Sequence, residues 1–394
     1  MKTYIKQALV LLVASCLLTL PFGCGNIGSN SQNDINNLIY RGNDEHTGSY
    51  PGNSLAASSI KWKFFNHDQG LMLSAPLYWD GTVYFGSYDH NLYALDSQTG
   101  QVKWKFETSK PILSSTAISS TNILFGSMDG SFYDVDANTH ELKWSFQSAS
   151  FDNSQKGAIP NQGIRSAPVV DNGVVFFGCY GRRVYALDVG SGKEIWKYAT
   201  ENPVQNAPSV SDGIVYITDL DKLVALDEKT GVKKWASGSS GSPGSSPVVS
   251  NGTVLFADSF HLSAFNAQTG EIKWKIDASA DSGLDVGPSV KDGVVFFGDN
   301  EGFHSVDLDK GSAKWNTPIP GGSTGSPPMI IDDSVYFVDS AAFIDRLDLN
   351  SGQIRSRFKL KDTFDPYWKT TTVMTPGDGV VFIADMDGNV YAIQ

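Results

Sequence analysis

The stretch Tyr93-Ala94-Leu95-Asp96-Ser97-Gln98-Thr99-Gly100-Gln101-Val102-Lys103-Trp104 decides the fold, because the chain repeats it. It returns as Tyr185-Ala186-Leu187-Asp188 through Trp196 and as Val224-Ala225-Leu226-Asp227 through Trp235, each with Asp, then Gly four residues on, then Trp four further. Asp136/Trp144 and Asp307/Trp315 keep the distance from Asp to Trp; Asn266/Trp274 keeps it with an amide, and Asp348 keeps it with Ser356 in the place of Trp. Upstream of each copy lies a turn such as Asp80-Gly81, Asp171-Asn172-Gly173, Ser211-Asp212-Gly213 or Lys291-Asp292-Gly293, then a β-branched and aromatic run such as Val83-Tyr84-Phe85. Alternating apolar and polar residues between Gly and Asp turns predict strands joined by hairpins. A unit of about 40 residues built this way is a four-stranded antiparallel blade.

The two ends set the number of blades. Val380 to Ile393 begins an eighth unit, but the chain stops before its Trp-bearing outer strand. Ile60-Lys61-Trp62-Lys63-Phe64 has the pattern of Val102-Lys103-Trp104-Lys105-Phe106 and has no inner strands before it. Joining about 60–65 to the C-terminal blade closes the ring and removes two exposed sheet edges. The expectation is therefore all-β: an eight-bladed β-propeller of four-stranded antiparallel blades, ring-closed by that N-terminal strand. Recurrence in every blade gives Asp96, Asp136, Asp188, Asp227 and Asp307, Gly100, and Trp62, Trp104, Trp144, Trp196, Trp235, Trp274 and Trp315 a structural reading. Asp heads a turn by accepting amide hydrogens, Gly supplies positive φ, and Trp covers the seam between blades.

The 394 residues carry 42 acids against 30 bases, a net charge of −12, with no basic stripe, so nucleic acid is not an expected partner. Lys2 and Lys6 precede the apolar run Ala8 to Leu20, which reads as an export signal too short to span a membrane with confidence. We read 1–23 as a lipoprotein signal peptide, Cys24 as the acylated residue with Cys16 as the alternative, 24–38 as a flexible tether and 39–394 as the propeller. An ordinary secreted protein is the plainer alternative. A chain beginning at Cys24 retains only Cys179 in its body, so no intrachain disulfide is expected there.

The Asp-x-x-x-Gly-x-x-x-Trp pattern resembles the pyrroloquinoline-quinone-type repeat. Over 60–394, together with the lead-in Tyr40 to Gly48, the chain is most similar to BamB-type lipoproteins. That resemblance implies a lipid-anchored eight-bladed propeller of outer-membrane β-barrel assembly, facing the periplasm where there are two membranes or outward where there is one, and does not by itself carry quinone binding. Gly25 after Cys24 carries no acidic retention signal, which in enteric lipoproteins favours the outer membrane. The resemblance also implies that Ile164 and Arg165 match an apolar residue and an Arg that contact the family's partner. The family's acids in the next interblade loop are not matched, since Pro203 and Gln205 stand there.

In such blades the uniform Asp turns share one face, and the second-to-third hairpins and interblade links share the other. Function is expected on the varied face. Its candidate contacts for a protein partner in the cell envelope are Leu71, Met72, Ile112, Phe151, Ile164, Arg165, Tyr367 and Trp368, with the link of about 148–165 stretching the Trp spacing from Trp144 to Trp196 to 52. Such side chains could instead plug the top of the channel. Arg182 and Arg183 form a local basic pair that reads most simply as solvated. A propeller that is monomeric, binds no cofactor or metal and catalyses nothing is the expectation.

Two other classes stay open. A quinone-dependent dehydrogenase resembles this fold but carries adjacent cysteines, a calcium site and an Asp base; the sequence has no Cys-Cys pair. A glycan or cell-wall polymer binder would use Tyr88, Tyr180, Tyr367 and Trp368, which are few and dispersed. His67, His90, His140, His261 and His304 show no metal-ligand spacing, and Asp385-Met386-Asp387-Gly388-Asn389 lacks room for a calcium loop before Gln394. Gly238 to Ser246 lacks the Lys and helix of a phosphate loop.

Overall fold

The structure, a computed structural model, describes residues 37–65, 74–148, 163–219, 222–238, 245–277, 284, 286–322, 324–360, 373–385 and 387–394. They form eight sheets, and the four strands of each blade pair antiparallel in order. Blade 1 has strands Leu77–Trp79, Thr82–Gly86, Asn91–Asp96 and Val102–Glu107. Blades 2 to 7 run over 117–147, 169–199, 209–238, 248–277, 289–317 and 329–359. Blade 8 takes Thr375–Gly377, Val380–Ala384 and Asn389–Ile393 from the C-terminus and Ile60–Phe65 from the N-terminal side, with Phe64 opposite Val390. The eight-bladed ring and its closure by the strand at 60–65 are as the repeat implies.

Second strands are packed on both faces, which is why they read as continuous apolar runs: Val83 and Phe85 are wholly buried, as are Val175, Phe176 and Phe177. Outer strands alternate, as in Val102–Glu107, because only one face meets the next blade. Each turn acid organises its own turn. Asp96 Oδ1 accepts hydrogen bonds from Gln98 N (3.1 Å) and Thr99 N (2.9 Å), and Gly100 takes φ +71°.

The outer-strand tryptophans join neighbouring blades. Trp196 Nε1 donates to Glu228 O of blade 4 at 2.7 Å while its ring lies against Gly231. Trp62, Trp144, Trp235, Trp274 and Trp315 donate likewise to Ser97, Val189, Ala267, Leu308 and Leu349. Blade 2 has His140 where the others have Gly; it adopts φ +63° and stacks on Trp104 at 4.7 Å between centroids. Blade 7 has Ser356, and its neighbour is blade 8, whose third and fourth strands belong to opposite ends of the chain, so there is no Asp-x-x-x-Gly turn for an indole to cover. The residue facing each Trp is usually Ala (Ala94, Ala186, Ala225, Ala264), but opposite Ser356 it is Arg346, which fills the space and bonds Ser54 Oγ and Ser334 Oγ.

The lead-in belongs to the propeller more fully than its tether-like sequence shows. Asn37 and Leu38, expected at the end of the tether, pair with Ser119 and Ile118 of blade 2. Asp44, Glu45, Thr47 and Gly48 then offer their carbonyls to Val210, Val249, Val290 and Ile330 N–H, and Ser49–Tyr50 runs parallel to the first strand of blade 7. The innermost strands would otherwise present unpaired N–H groups around the channel; the lead-in satisfies four of them in turn.

Candidate functional site

An incomplete ring of small polar residues precedes the first strands and ties blades 2 to 5 together around the channel. Ser114 Oγ donates to Ser166 O (2.9 Å), Ser166 Oγ to Asn206 O (3.0 Å) and Asn206 Nδ2 to Ser245 O (3.0 Å). Sequence reading missed this ring, although its signal was present: Ser74, Ser114, Ser166, Asn206, Ser245 and Ser326 each stand six residues before a turn residue with positive φ.

Above the ring, the first three interblade links return over the hairpins they follow. Ile112 N donates to Ser87 O (3.0 Å), Ile164 N to Ser127 O (2.9 Å) and Val204 N to Cys179 O (3.1 Å). Their side chains are wholly buried and occupy the space left by Gly86, Gly126 and Gly178, where a Cβ would collide with them. This corrects the expectation for Ile112 and Ile164. They wedge the links onto the second strands and offer no side-chain surface to a partner.

Arg165, the next residue, is half-buried at the mouth of the channel. Its Nη1 donates to Gln205 Oε1 (3.2 Å), which also accepts from Tyr180 Oη (2.9 Å). Gln205 thus meets Arg165 where the resemblance led to an acid, and it orients the guanidinium without neutralising it. Arg183 is occupied by Gly181 O (2.9 Å), and Arg182 takes φ +56° in the same hairpin. Leu71, Met72, Phe151, Tyr367 and Trp368, with Cys16 and Cys24, lie outside the described residues.

Behind Arg165 opens a cavity of about 220 Å³. Tyr40 and Arg41 of the lead-in line it, with Ser115, Asn206, Ser245 and Ser246 among the residues of the channel wall. Arg41 is only 2% exposed, and burial pulls its guanidinium below the usual arginine range. Its Nη2 donates to Pro288 O and Ser289 Oγ, the latter at 2.8 Å.

The remaining ionisable groups have local duties. His261 and His304 meet Asp258 (3.0 Å) and Asp299 (2.8 Å) of their own hairpins. Asp385 Oδ1 accepts from Asp387 N and Asn389 N, and Tyr391 Oη bonds Asp385 Oδ2, so this acidic phrase shapes a hairpin. In blade 7 Arg357 bonds both Asp339 and Asp345; burial first, then Asp339, pushes Asp345 up to about 7. Among the described residues no group of three His, Cys, Asp or Glu is placed to hold a metal ion. Cys179 is buried, which raises its thiol pKa.

A family model for the PQQ-type repeat, described as outer membrane protein assembly factor BamB, matches residues 56–163 and 128–358. No curated protein matches the sequence. Among solved structures, BamB from Moraxella catarrhalis superposes with a TM-score of 0.65 at 18% identity, over 85% of this chain and 99% of that one. A quinohemoprotein alcohol dehydrogenase from Comamonas testosteroni superposes with a TM-score of 0.72 at 13% identity, over 92% and 81%. A computationally designed protein, Ika8, gives 0.67 at 14%, over 84% and 98%. At such identities these likenesses speak for the fold alone.

Proposed function

Because the chain belongs to the PQQ-repeat family described as outer membrane protein assembly factor BamB, we propose that it is a non-catalytic, exported scaffold of the cell envelope that docks a protein partner through its varied face. In this reading Cys24 carries the lipid anchor, the propeller acts as a monomer, and the partner belongs to outer-membrane protein assembly where the cell has an outer membrane. The observation that carries it is Arg165, held at the channel mouth by Gln205, which Tyr180 bonds in turn, with no carboxylate on it among the described residues. An oriented, incompletely neutralised guanidinium on the face whose loops differ is a suitable anchor for a protein contact.

The fold is shared with alcohol dehydrogenases at a higher TM-score, which keeps a quinone-dependent oxidoreductase as the second reading. The residues present do not fit it well. Adjacent cysteines are lacking, and no described acid cluster is placed as a metal site.

One experiment separates the two. The membrane-anchored protein is purified after mild cross-linking, its companions are identified by mass spectrometry, and an ultraviolet-visible spectrum is taken in parallel. A barrel-assembly protein is expected, and its capture should fall in Arg165→Ala. A stoichiometric quinone chromophore without a protein companion would replace the scaffold by an enzyme.

A further inference from the structure

We propose that the channel mouth binds a small oxyanion, a carboxylate or a phosphate group, in the cavity that Arg41 and Ser245 line, with Arg165 at the rim. The proposal stands apart from partner docking, since it needs only groups of this chain.

Two polar atoms of residues that line the cavity, Arg41 Nε and Ser245 Oγ, are buried without a hydrogen-bond partner among the described residues. A buried cation without a counter-charge is costly, and a buried polar atom without a partner adds to that cost. No ion pair involves Arg41 among the described residues, and its bonds go to a carbonyl and a hydroxyl. The described lining of the cavity contains two arginines and no Asp or Glu, in a chain where acids outnumber bases 42 to 30. The wall therefore carries a local positive charge against the sign of the whole molecule.

The shape agrees. A Cβ on Gly287 would lie 2.6 Å from Arg41 Nη1, 3.0 Å from Ser245 Cβ and 3.4 Å from Ser245 Oγ. The guanidinium and the Ser245 side chain thus pack directly against the Gly287 backbone, and a side chain at 287 would push them out of place. The cavity of about 220 Å³ is several times the ~30 Å³ share of one water, room for such an ion with some of its hydration. An oxyanion would take hydrogen bonds from Arg41 and Ser245 and supply the charge that the fold does not.

Titration calorimetry on the full chain in detergent, with sodium phosphate and with sodium acetate against chloride at matched ionic strength, tests this. Saturable binding of at least one of the two is expected, and which one binds identifies the oxyanion. Affinity should fall at least tenfold in Gly287→Ala and severalfold in Arg165→Gln, and vanish in Arg41→Gln. Should Arg41→Gln fail to fold, Gly287→Ala decides, because the backbone there lies outside the left-handed region and accepts a side chain. The proposal falls if neither anion binds saturably, if chloride binds as well, or if folded Gly287→Ala binds as the wild type does.

Discussion

At the scale of single residues, the joint between blades is a glycine under an indole. A Cβ on Gly231, at φ +68°, would lie 2.7 Å from the Trp196 ring, whereas one on Gly173, at φ +77°, meets nothing within 4 Å. Both alanine substitutions strain the backbone by about 1 kcal/mol, but Gly231→Ala must also displace the indole, for about 2–4 kcal/mol in all. Urea unfolding of the two variants checks this; equal midpoints would remove the indole contact from the account. Asp134 is a different case. It faces Trp144 where five other blades have Ala, is wholly buried, and neither carboxylate oxygen has a hydrogen-bond partner among the described residues. Burial pushes it up to about 7, with Lys143 opposing. Since the folded state holds the proton more tightly than the unfolded chain, Asp134's contribution is intact below pH 4 and is lost as pH rises through 7. Asp134→Ala should therefore raise stability at pH 8 by about 2 kcal/mol and change little at pH 4, read from melts at both pH values. The motif residues were legible because they recur. Asp134 was not, because one acid in a strand shows its burial only once the blades are stacked.

At the scale of elements, every blade ends in an outer strand with no paired strand on its far side among the described residues. These edges carry lysines, such as Lys103 and Lys105 in Val102–Glu107, beside exposed aliphatic residues such as Val102 (46%) and Ile272 (59%). Charges on an edge strand oppose pairing with a second sheet. Replacing Lys103 and Lys105 together by Val should turn a monodisperse protein into dimers and larger species in light scattering; persistence of the starting state would show that the edge is guarded by other means. The links form the second element class. Ile164→Ala removes a wedge that is wholly buried over Gly126 and should cost about 2–5 kcal/mol, so its melting temperature falls. Arg165→Ala should leave it nearly unchanged. An apolar residue in a long link looks like a docking contact in the sequence, and only the chain path over the hairpin shows that it points inward.

At the scale of the whole molecule, the ring is held by a strand that arrives from the other end of the chain. Deleting 60–65 would bare the third strand of blade 8 at Asn389–Ile393 and leave the Gly100 turn without Trp62. Such a chain should melt well below the intact protein and expose the 389–393 edge to proteolysis; an unchanged melt would mean that closure contributes little. The number of blades, their strand order and the closing partner were determined by the sequence alone, because a repeat that cannot bury its own faces must stack on its copies, and its incomplete first and last copies complete each other. The course of the lead-in inside the channel, the burial of Ile112 and Ile164, and the meeting of Arg41 with Ser245 and Gly287 were decided only by the tertiary structure. Several of these contacts join residues far apart in sequence, as Arg41 with Ser289 and Gly48 with Ile330. They have no period to betray them, and the charge and space they leave at the channel mouth exist only when the ring is closed.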